Sequence, residues 1–368
     1  MARFLFDAHH LGHHQTGNET WARNTGARLA GHLSGHELTI ATTARCVQEV
    51  AGWGASHPPV VVNCSSARRL AVDLPRALRH SSYDAVMVQY TLPAWPCRAV
   101  VIIHDVSAAE SEAKAWLPVR TRARYRTSFW TSARFATYVL TVSEFTRSRI
   151  VELYGVSPER VRVAPNAVDP EFARRLSASS GNGADREGRW TVLTVGNVLP
   201  RKNLCVAADA VERLVRGGLD ARLRVVGSVP KQGRDIAAAM ERSLGDRVSF
   251  SGYVTPDQLV QEYRSADTVV VPSRYEGFGI PVLEAMTGRI PVVTSDSSAL
   301  PEVGGGAALV APVDDVGAWA EHLAVIAQDR SVRDDLITRG SARAAMFDWE
   351  DSARVTAATL IDAVQHPR

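Results

Sequence analysis

Short apolar runs rich in valine and isoleucine alternate with longer stretches whose apolar positions recur every three to four residues, almost from end to end of the chain. In the first half the short runs predict strands at 3–6, 37–41, 60–62, 85–89, 99–103, 138–141 and 161–163. Helical spacing falls between them at 20–33, 67–79, 120–136 and 143–153, the last opened by Ser143 with Thr146. The second half predicts strands at 191–195, 223–226, 248–251, 268–271, 291–294 and 308–310, and helices at 204–216, 235–244, 256–265, 281–286 and 315–328. Strict alternation of strand and helix implies βαβ units and a parallel sheet in each half. The expected class is α/β: two doubly wound, Rossmann-like domains facing across a cleft, with ligands at the carboxyl ends of the strands. A polar Gly/Ser run over 176–185 reads as flexible connection. The expected division is an N-terminal domain over 1–172, a linker over 173–190, a C-terminal domain over 191–347 and a closing helix over 348–368 that returns to the N-terminal domain.

Composition narrows the class. A chain of 368 residues with 45% hydrophobic and 22% charged residues suits two soluble domains and excludes disordered, collagen-like and coiled-coil classes for the whole. Apolar runs such as 99–103 fall far short of the roughly 18 residues a membrane span needs. The first residues, Met1 to Asp7, read as a strand and not as a signal peptide. Cys46, Cys64, Cys97 and Cys205 lie far apart with no Cys-x-x-Cys pair, which predicts reduced thiols and a cytoplasmic setting. A net charge of +3 gives no footprint for nucleic acid. Of 42 basic residues only Lys114, Lys202 and Lys231 are lysine, so each lysine stands out.

After the first strand the chain reads Asp7-Ala8-His9-His10-Leu11-Gly12, without the G-x-G-x-x-G that nicotinamide and flavin enzymes use. The richest stretch runs from Pro272 to Met286. It joins a strand's carboxyl end, a turn holding Gly277, Phe278 and Gly279, and a helix whose first turn suits Pro281. Such a junction makes an anion site from amide N–H groups and the helix dipole. Glu276 in the turn and Glu284 just inside the helix are poor phosphate ligands but good acceptors for sugar hydroxyls. They point to a ligand with a sugar on each side of its phosphates. The plainer alternative leaves Glu276 solvated and Glu284 complementing the helix dipole. A second constellation, Gly196 to Asn203, follows another strand and sets Arg201 and Lys202 at a helix start, where cations oppose the dipole. An anion held between them and the helix removes that conflict. Neither cation is expected to be buried.

These two motifs make the chain resemble the retaining, metal-independent glycosyltransferases of the two-domain GT-B fold, family four in particular. That family's Glu, seven residues, Glu signature around Gly-Phe-Gly is matched by Glu276 and Glu284. Its glycine turn leading to Arg-Lys-Asn is matched by Gly196, Arg201, Lys202 and Asn203. Val142-Ser143-Glu144-Phe145, Ala164-Pro165-Asn166, Ser251-Gly252-Tyr253-Val254 and Ala299-Leu300-Pro301-Glu302-Val303 also match, so the likeness runs from about 7 to 349. The resemblance implies that Arg201 and Lys202 bind the diphosphate, that Gly277, Phe278 and Gly279 donate N–H groups, that Glu276 holds the donor sugar and that Glu284 holds the ribose. It also implies that Tyr253 and Val254 frame the base, that His104 touches the transferred sugar and that Gly17, in a loop before the first helix, faces the diphosphate. Ala167 departs from the family's glycine after Pro-Asn.

The implied reaction moves a hexose from a nucleotide-diphospho-sugar to an acceptor hydroxyl with retention. GDP-mannose is the expected donor, because the Thr16-Gly17 loop and the His104-Asp105 strand end most resemble mannosyltransferase-like members. No further cofactor is expected, and no metal, since Asp-x-Asp is absent from the sequence. A GT-B sugar-nucleotide epimerase and a non-catalytic nucleotide-sugar-binding subunit stay open as alternatives. His9, His10, His13 and His14 read as an acceptor-facing loop rather than a metal site. The stretch 120–130, from Arg120 to Trp130, alternates arginines with aromatics and reads either as a solvated helix face or as a contact with the anionic inner face of a membrane.

Overall fold

The computed structural model describes residues 1–12, 16–178 and 189–365. The chain divides into two compact units, one of Met1–Asn166 with Asp348–Arg368 and one of Ala167–Phe347.

Unit 1 is built on seven parallel strands: β1 (Arg3–Asp7), β2 (Glu37–Thr42), β3 (Val60–Val61), β4 (Ala85–Gln89), β5 (Ala99–Ile102), β6 (Tyr138–Thr141) and β7 (Val161–Val163). Their order is β3-β2-β1-β4-β5-β6-β7. Helices α1 (Thr16–His32), α2 (Val47–Ala51), α3 (Ser66–Arg68), α4 (Leu74–His80), α5 (Val119–Phe135) and α6 (Glu144–Tyr154) lie between them in sequence. Strands β4 and β5 are buried at every position, so they read as continuous apolar runs rather than alternating ones.

Unit 2 repeats the plan with β8 (Trp190–Val195), β9 (Ala221–Val226), β10 (Val248–Gly252), β11 (Thr268–Val271), β12 (Val292–Ser295) and β13 (Leu309–Ala311), all parallel, in the order β10-β9-β8-β11-β12-β13. Its helices are α7 (Pro170–Ser177), α8 (Leu204–Arg216), α9 (Arg234–Leu244), α10 (Pro256–Arg264), α11 (Ile280–Thr287), α12 (Leu300–Gly304), α13 (Val316–Gln328) and α14 (Arg330–Ala344). The last helix, α15 (Trp349–Gln365), belongs to unit 1. It buries Trp349, Ala353, Ala357 and Leu360, packs on α1, and is pinned there by Glu350, whose carboxylate meets Arg28 at 3.1 Å and His32 at 2.9 Å.

Two boundaries differ from expectation. The division falls at 166/167 rather than 172/173, and the first residues of the expected linker, 173–177, belong to α7. Asp169 caps that helix by accepting from the N–H groups of Glu171 and Phe172 at 3.0 and 3.1 Å. Phe172 and Leu176 are buried in unit 2. The apolar face of α7 is two residues wide, too little to stand out beside the Gly/Ser run that follows. Residues 179–188 of the expected linker lie outside the described residues, and its last residue, Trp190, opens β8. Helix α14 was also not expected, because Leu336 and Gly340 are its only buried positions.

In both sheets the strand order reverses at the first strand of the unit. Loops leaving the carboxyl ends of the two strands at such a reversal diverge and open a crevice. In unit 2 those strands are β8 and β11, and they carry both sequence motifs.

Candidate active site

Gly196 follows the end of strand β8, and its φ of +145° and close neighbour both call for glycine. A Cβ there would lie 3.1 Å from Cε and Nζ of Lys202, so the bare backbone leaves room for the lysine. The chain then makes one 3-10 turn over Pro200–Lys202, and Asn203 starts α8 in left-handed backbone. Asn203, expected at the donor, spends its side chain inside the protein: Nδ2 donates to the Val313 carbonyl at 2.7 Å, and Oδ1 accepts from Arg274 at 3.1 Å.

The loop after β11 brings Glu276 onto the same cations. Lys202 Nζ lies 2.5 Å from Glu276 Oε1, and Arg201 Nη1 lies 3.3 Å from Oε2 and 3.1 Å from the Tyr275 carbonyl. The Ser273 hydroxyl donates to Oε1 at 2.6 Å, and the Glu276 N–H donates to Ser298 Oγ at 2.9 Å. Burial raises the Glu276 carboxyl, but the charges of Lys202 and Arg201 outweigh it and hold the group at about 2. Burial likewise pulls the Lys202 ammonium below its ordinary value, against the pull of Glu276. Neither cation is fully buried, but Lys202 is the more enclosed of the two, its side chain 13% exposed against 32% for Arg201. A basic turn read alone gives no sign of the carboxylate that covers it.

Gly279 caps α11 with a φ of +108°, and a Cβ there would strike Leu300 at 2.7 Å. Phe278 between the glycines is buried, its ring edge-on to Phe347 at 5.6 Å, so its side chain is spent on packing. The first turn of α11 holds no acid. Glu284 sits one turn further in and accepts the Tyr263 hydroxyl on Oε2 at 2.6 Å, which removes the ground for a purely dipolar role. Tyr253 and Val254 follow edge strand β10, two strands from β8, and Tyr253 is 66% exposed.

In unit 1, His104 follows β5. Its Nε2 lies 3.1 Å from Gln89 Oε1, and its ring sits 5.5 Å from Trp21 and 5.4 Å from Tyr90. Burial pushes the imidazole down to about 3, so it is neutral at pH 7. Gly17, expected in a loop before the first helix, belongs to α1 itself. The left-handed glycine ahead of the helix is Gly12, whose N–H donates to Glu19 at 3.1 Å.

Several residues here escape sequence reasoning. Asp7 at the carboxyl end of β1 is buried and paired with Arg69 and with His9 at 3.2 Å. Burial raises its carboxyl, but His9 and Arg69 hold it at about 2. Arg69 comes from a π-helical turn, Arg69–Asp73, between α3 and α4, and nothing local marks it among so many arginines. Tyr90 takes a left-handed φ of +61° and donates its hydroxyl to Asn18 at 3.1 Å. The rings of His9 and His10 lie 3.9 Å apart, whereas His13 and His14 lie outside the described residues. Among the described residues no group of three or more His, Cys, Asp or Glu is arranged to hold a metal.

Known proteins share both halves. Residues 179–343 match the glycosyl transferases group 1, and residues 16–172 match glycosyltransferase family 4. The chain is 34% identical over 268 residues to the O-antigen chain mannosyltransferase B of Escherichia coli, covering 70% of this chain and 69% of that one. It is 31% identical over 240 residues to the MMP alpha-(1->4)-mannosyltransferase of Mycolicibacterium hassiacum, covering 63% of this chain and 56% of the relative. With the D-inositol 3-phosphate glycosyltransferase of Nocardia farcinica it shares 32% over 217 residues, 56% of this chain and 48% of the relative. The chain thus spans about half the length of the last two. In fold it matches sucrose-phosphate synthase of Thermosynechococcus elongatus with a TM-score of 0.73 at 19% identity, over 97% of this chain and 98% of that one. It matches the lipopolysaccharide glycosyltransferase WaaG with a TM-score of 0.71 at 19% identity, over 98% and 99%. Motifs, strand order and relatives agree, and the chain belongs to the group 1, family 4 glycosyltransferases of the GT-B fold.

Proposed function

We propose that this glycosyltransferase moves mannose from GDP-mannose to an acceptor hydroxyl, with retention at the anomeric carbon and without a metal ion. The observation that carries the reading is the meeting of Arg201, Lys202 and Glu276 where the loops after β8 and β11 leave adjacent strands. Lys202 and Arg201 bind the diphosphate, and Glu276 steadies both cations while its one remaining acceptor site, on Oε2, takes a hexose hydroxyl. The N–H groups of Gly277, Phe278 and Gly279 add donors at the start of α11. Gly196 gives Lys202 its room, and Asn203 ties the two loops. Glu284 accepts ribose hydroxyls, and Tyr253 and Val254 border the base. In unit 1 the reading gives neutral His104 a hydrogen bond to the transferred sugar and Gly17 an approach to the diphosphate.

In the reaction the acceptor oxygen attacks the anomeric carbon on the face the phosphate leaves. The carbon–phosphate-oxygen bond breaks, the new glycosidic bond forms, and the acceptor proton passes to the departing phosphate oxygen. Arg201 and Lys202 offset the charge that develops there. The mannosyltransferase names of two relatives support the sugar, and crystal structures of Anabaena HepE with UDP and with UDP-glucose support the kind of donor. Titration calorimetry with GDP, UDP and ADP tests the base. Preference for GDP is expected; preference for UDP overturns the mannose donor, and binding of none overturns the reading. Release of nucleoside diphosphate only when an acceptor is supplied separates transfer from epimerisation and from simple binding.

No helix among the described residues is long and apolar enough to cross a membrane. Helix α5 nevertheless exposes Val119, Trp130 and Phe135 on the same half as Arg120, Arg124, Arg126 and Arg134. Apolar side chains among arginines suit the surface of an anionic leaflet, and peripheral contact through α5 at the cytoplasmic face is part of the proposal. Cosedimentation with phosphatidylglycerol vesicles but not phosphatidylcholine vesicles is expected, and its loss in Arg124→Glu/Arg126→Glu. Equal behaviour with both lipids overturns it.

A further inference from the structure

We infer that Tyr263 is a positioning residue for nucleotide recognition, holding one oxygen of Glu284 so that the other is presented to the ribose hydroxyls. This rests on the reading of Glu284 as the ribose acceptor and names the side chain on which that role depends. Tyr263 lies on α10, is fully buried, and donates its hydroxyl to Glu284 Oε2 at 2.6 Å. Among the described residues Glu284 Oε1 has no hydrogen-bond partner.

The tyrosine itself has little freedom. The ring of Phe172 from α7 meets it edge-on at 5.8 Å. Arg264, next in the chain, donates to the carbonyl of Arg175 on α7, and Arg175 in turn pairs with Asp257 of α10 at 2.5 Å. Helices α7 and α10 are thus tied at both ends of the segment that carries Tyr263, and the hydroxyl is fixed by its surroundings. A glutamate side chain turns about three bonds. With Oε2 held, Oε1 keeps two lone pairs in a set direction, enough for the two vicinal hydroxyls of a ribose.

A buried tyrosine hydroxyl without an acceptor is costly, so the pair has a structural use as well. The charge state separates the two uses. Burial raises the Glu284 carboxyl to about 7, with Asp169 at the cap of α7 acting in the same direction, and the Tyr263 hydroxyl is the contact that opposes them. Tyr263 therefore favours the ionised form, which is the form that accepts from two hydroxyls.

The test compares ribose with a sugar that lacks the hydroxyls, a ratio that a purely structural tyrosine does not move. Full-length wild type and Tyr263→Phe are titrated with GDP and UDP, and then with the 2′,3′-dideoxy form of whichever binds. Wild type is expected to prefer the ribose form at least tenfold. Tyr263→Phe is expected to bind the dideoxy form as wild type does, while its preference for ribose falls to threefold or less. A wild-type preference retained in Tyr263→Phe overturns the inference and leaves the Glu284 assignment standing. A wild type that ignores the hydroxyls overturns the Glu284 assignment and the inference together. A wild type that binds neither nucleotide overturns the nucleotide-sugar reading itself. If Tyr263→Phe does not fold, Phe172→Leu keeps the hydroxyl but loosens its ring, and a partial loss of the ribose preference is expected; full preference in that variant overturns the inference.

Discussion

Lys202 and Glu276 stand 74 residues apart in sequence, yet Nζ and Oε1 lie 2.5 Å apart in a pair whose side chains are each 13% exposed. The contact joins the loop after β8 to the loop after β11, at the strand reversal where an α/β sheet opens its crevice. One carboxylate thereby sets the direction of both cations proposed to face the diphosphate.

Removing Lys202 should therefore cost stability as well as binding. Lys202→Ala leaves Glu276 with Arg201 and Ser273 only, and a loss of about 1–3 kcal/mol in unfolding free energy is expected. Arg201→Ala should cost less stability, since that side chain is more open. Both variants should weaken nucleoside diphosphate binding by about 1.5–3 kcal/mol. Denaturant titration of Lys202→Ala, Glu276→Gln and the double variant measures the coupling. Strictly additive losses would show that the two groups do not act as a pair.

Glu276→Gln should split binding from turnover. An amide keeps one acceptor oxygen but brings a competing donor, so the hexose loses its orientation and the rate falls by tenfold or more for about 1.5–3 kcal/mol lost. The cations lose a negative neighbour, so affinity for free nucleoside diphosphate should not fall. A parallel loss in both measurements would mean that Glu276 acts by holding the loop and not by holding sugar.

Glu284 gives the site a pH dependence. Its carboxyl is raised from 4.5 to about 7 by burial, faced by Tyr263 from α10 and Asp169 from the cap of α7. The folded protein therefore favours the protonated form: that stability is fully present below the ordinary carboxylate range and is lost as pH rises through about 7. Glu284→Gln should keep it, and its melting temperature should change less between pH 6 and 8. In the proposed role the ribose hydroxyls are accepted by the carboxylate, so nucleoside diphosphate affinity should rise over the same interval in wild type. The nucleotide's own terminal phosphate titrates near about 6. The decisive quantity is the difference between wild type and Glu284→Gln, and equal slopes would remove Glu284 from the ribose.

The central strands were legible because parallel strands buried on both faces are nearly continuous apolar runs, as in β4 and β11; β6 and the edge strand β7 also fall where the pattern places them. Helix α7 was hidden because only Phe172 and Leu176 are buried on it. Gly17 was misplaced because α1 starts at Thr16, ahead of its first regular apolar positions. The motif loops were legible because glycine, proline and paired charges are unusual at strand ends. Their partners were not: Ser273, Ser298, Tyr263 and Arg69 are ordinary residues locally and acquire meaning only when the fold brings them to Glu276, Glu284 and Asp7.

Metal-dependent transferases neutralise the departing diphosphate with a divalent cation held by carboxylates. In this chain the loops at the strand reversal of unit 2 supply two side-chain cations, Arg201 and Lys202, and the N-terminal amides of α11. A guanidinium, an ammonium and a helix start can together provide the charge stabilisation that a cation gives elsewhere. The carboxylate nearest to them, Glu276, already accepts from Lys202, Arg201 and Ser273, which leaves it a poor metal ligand. Turnover should therefore persist in excess EDTA and be unchanged by added magnesium or manganese, while Lys202→Ala should fall in both conditions alike. Loss of wild-type activity in EDTA, restored by either metal, would show that the diphosphate charge is met by a cation and not by these two side chains.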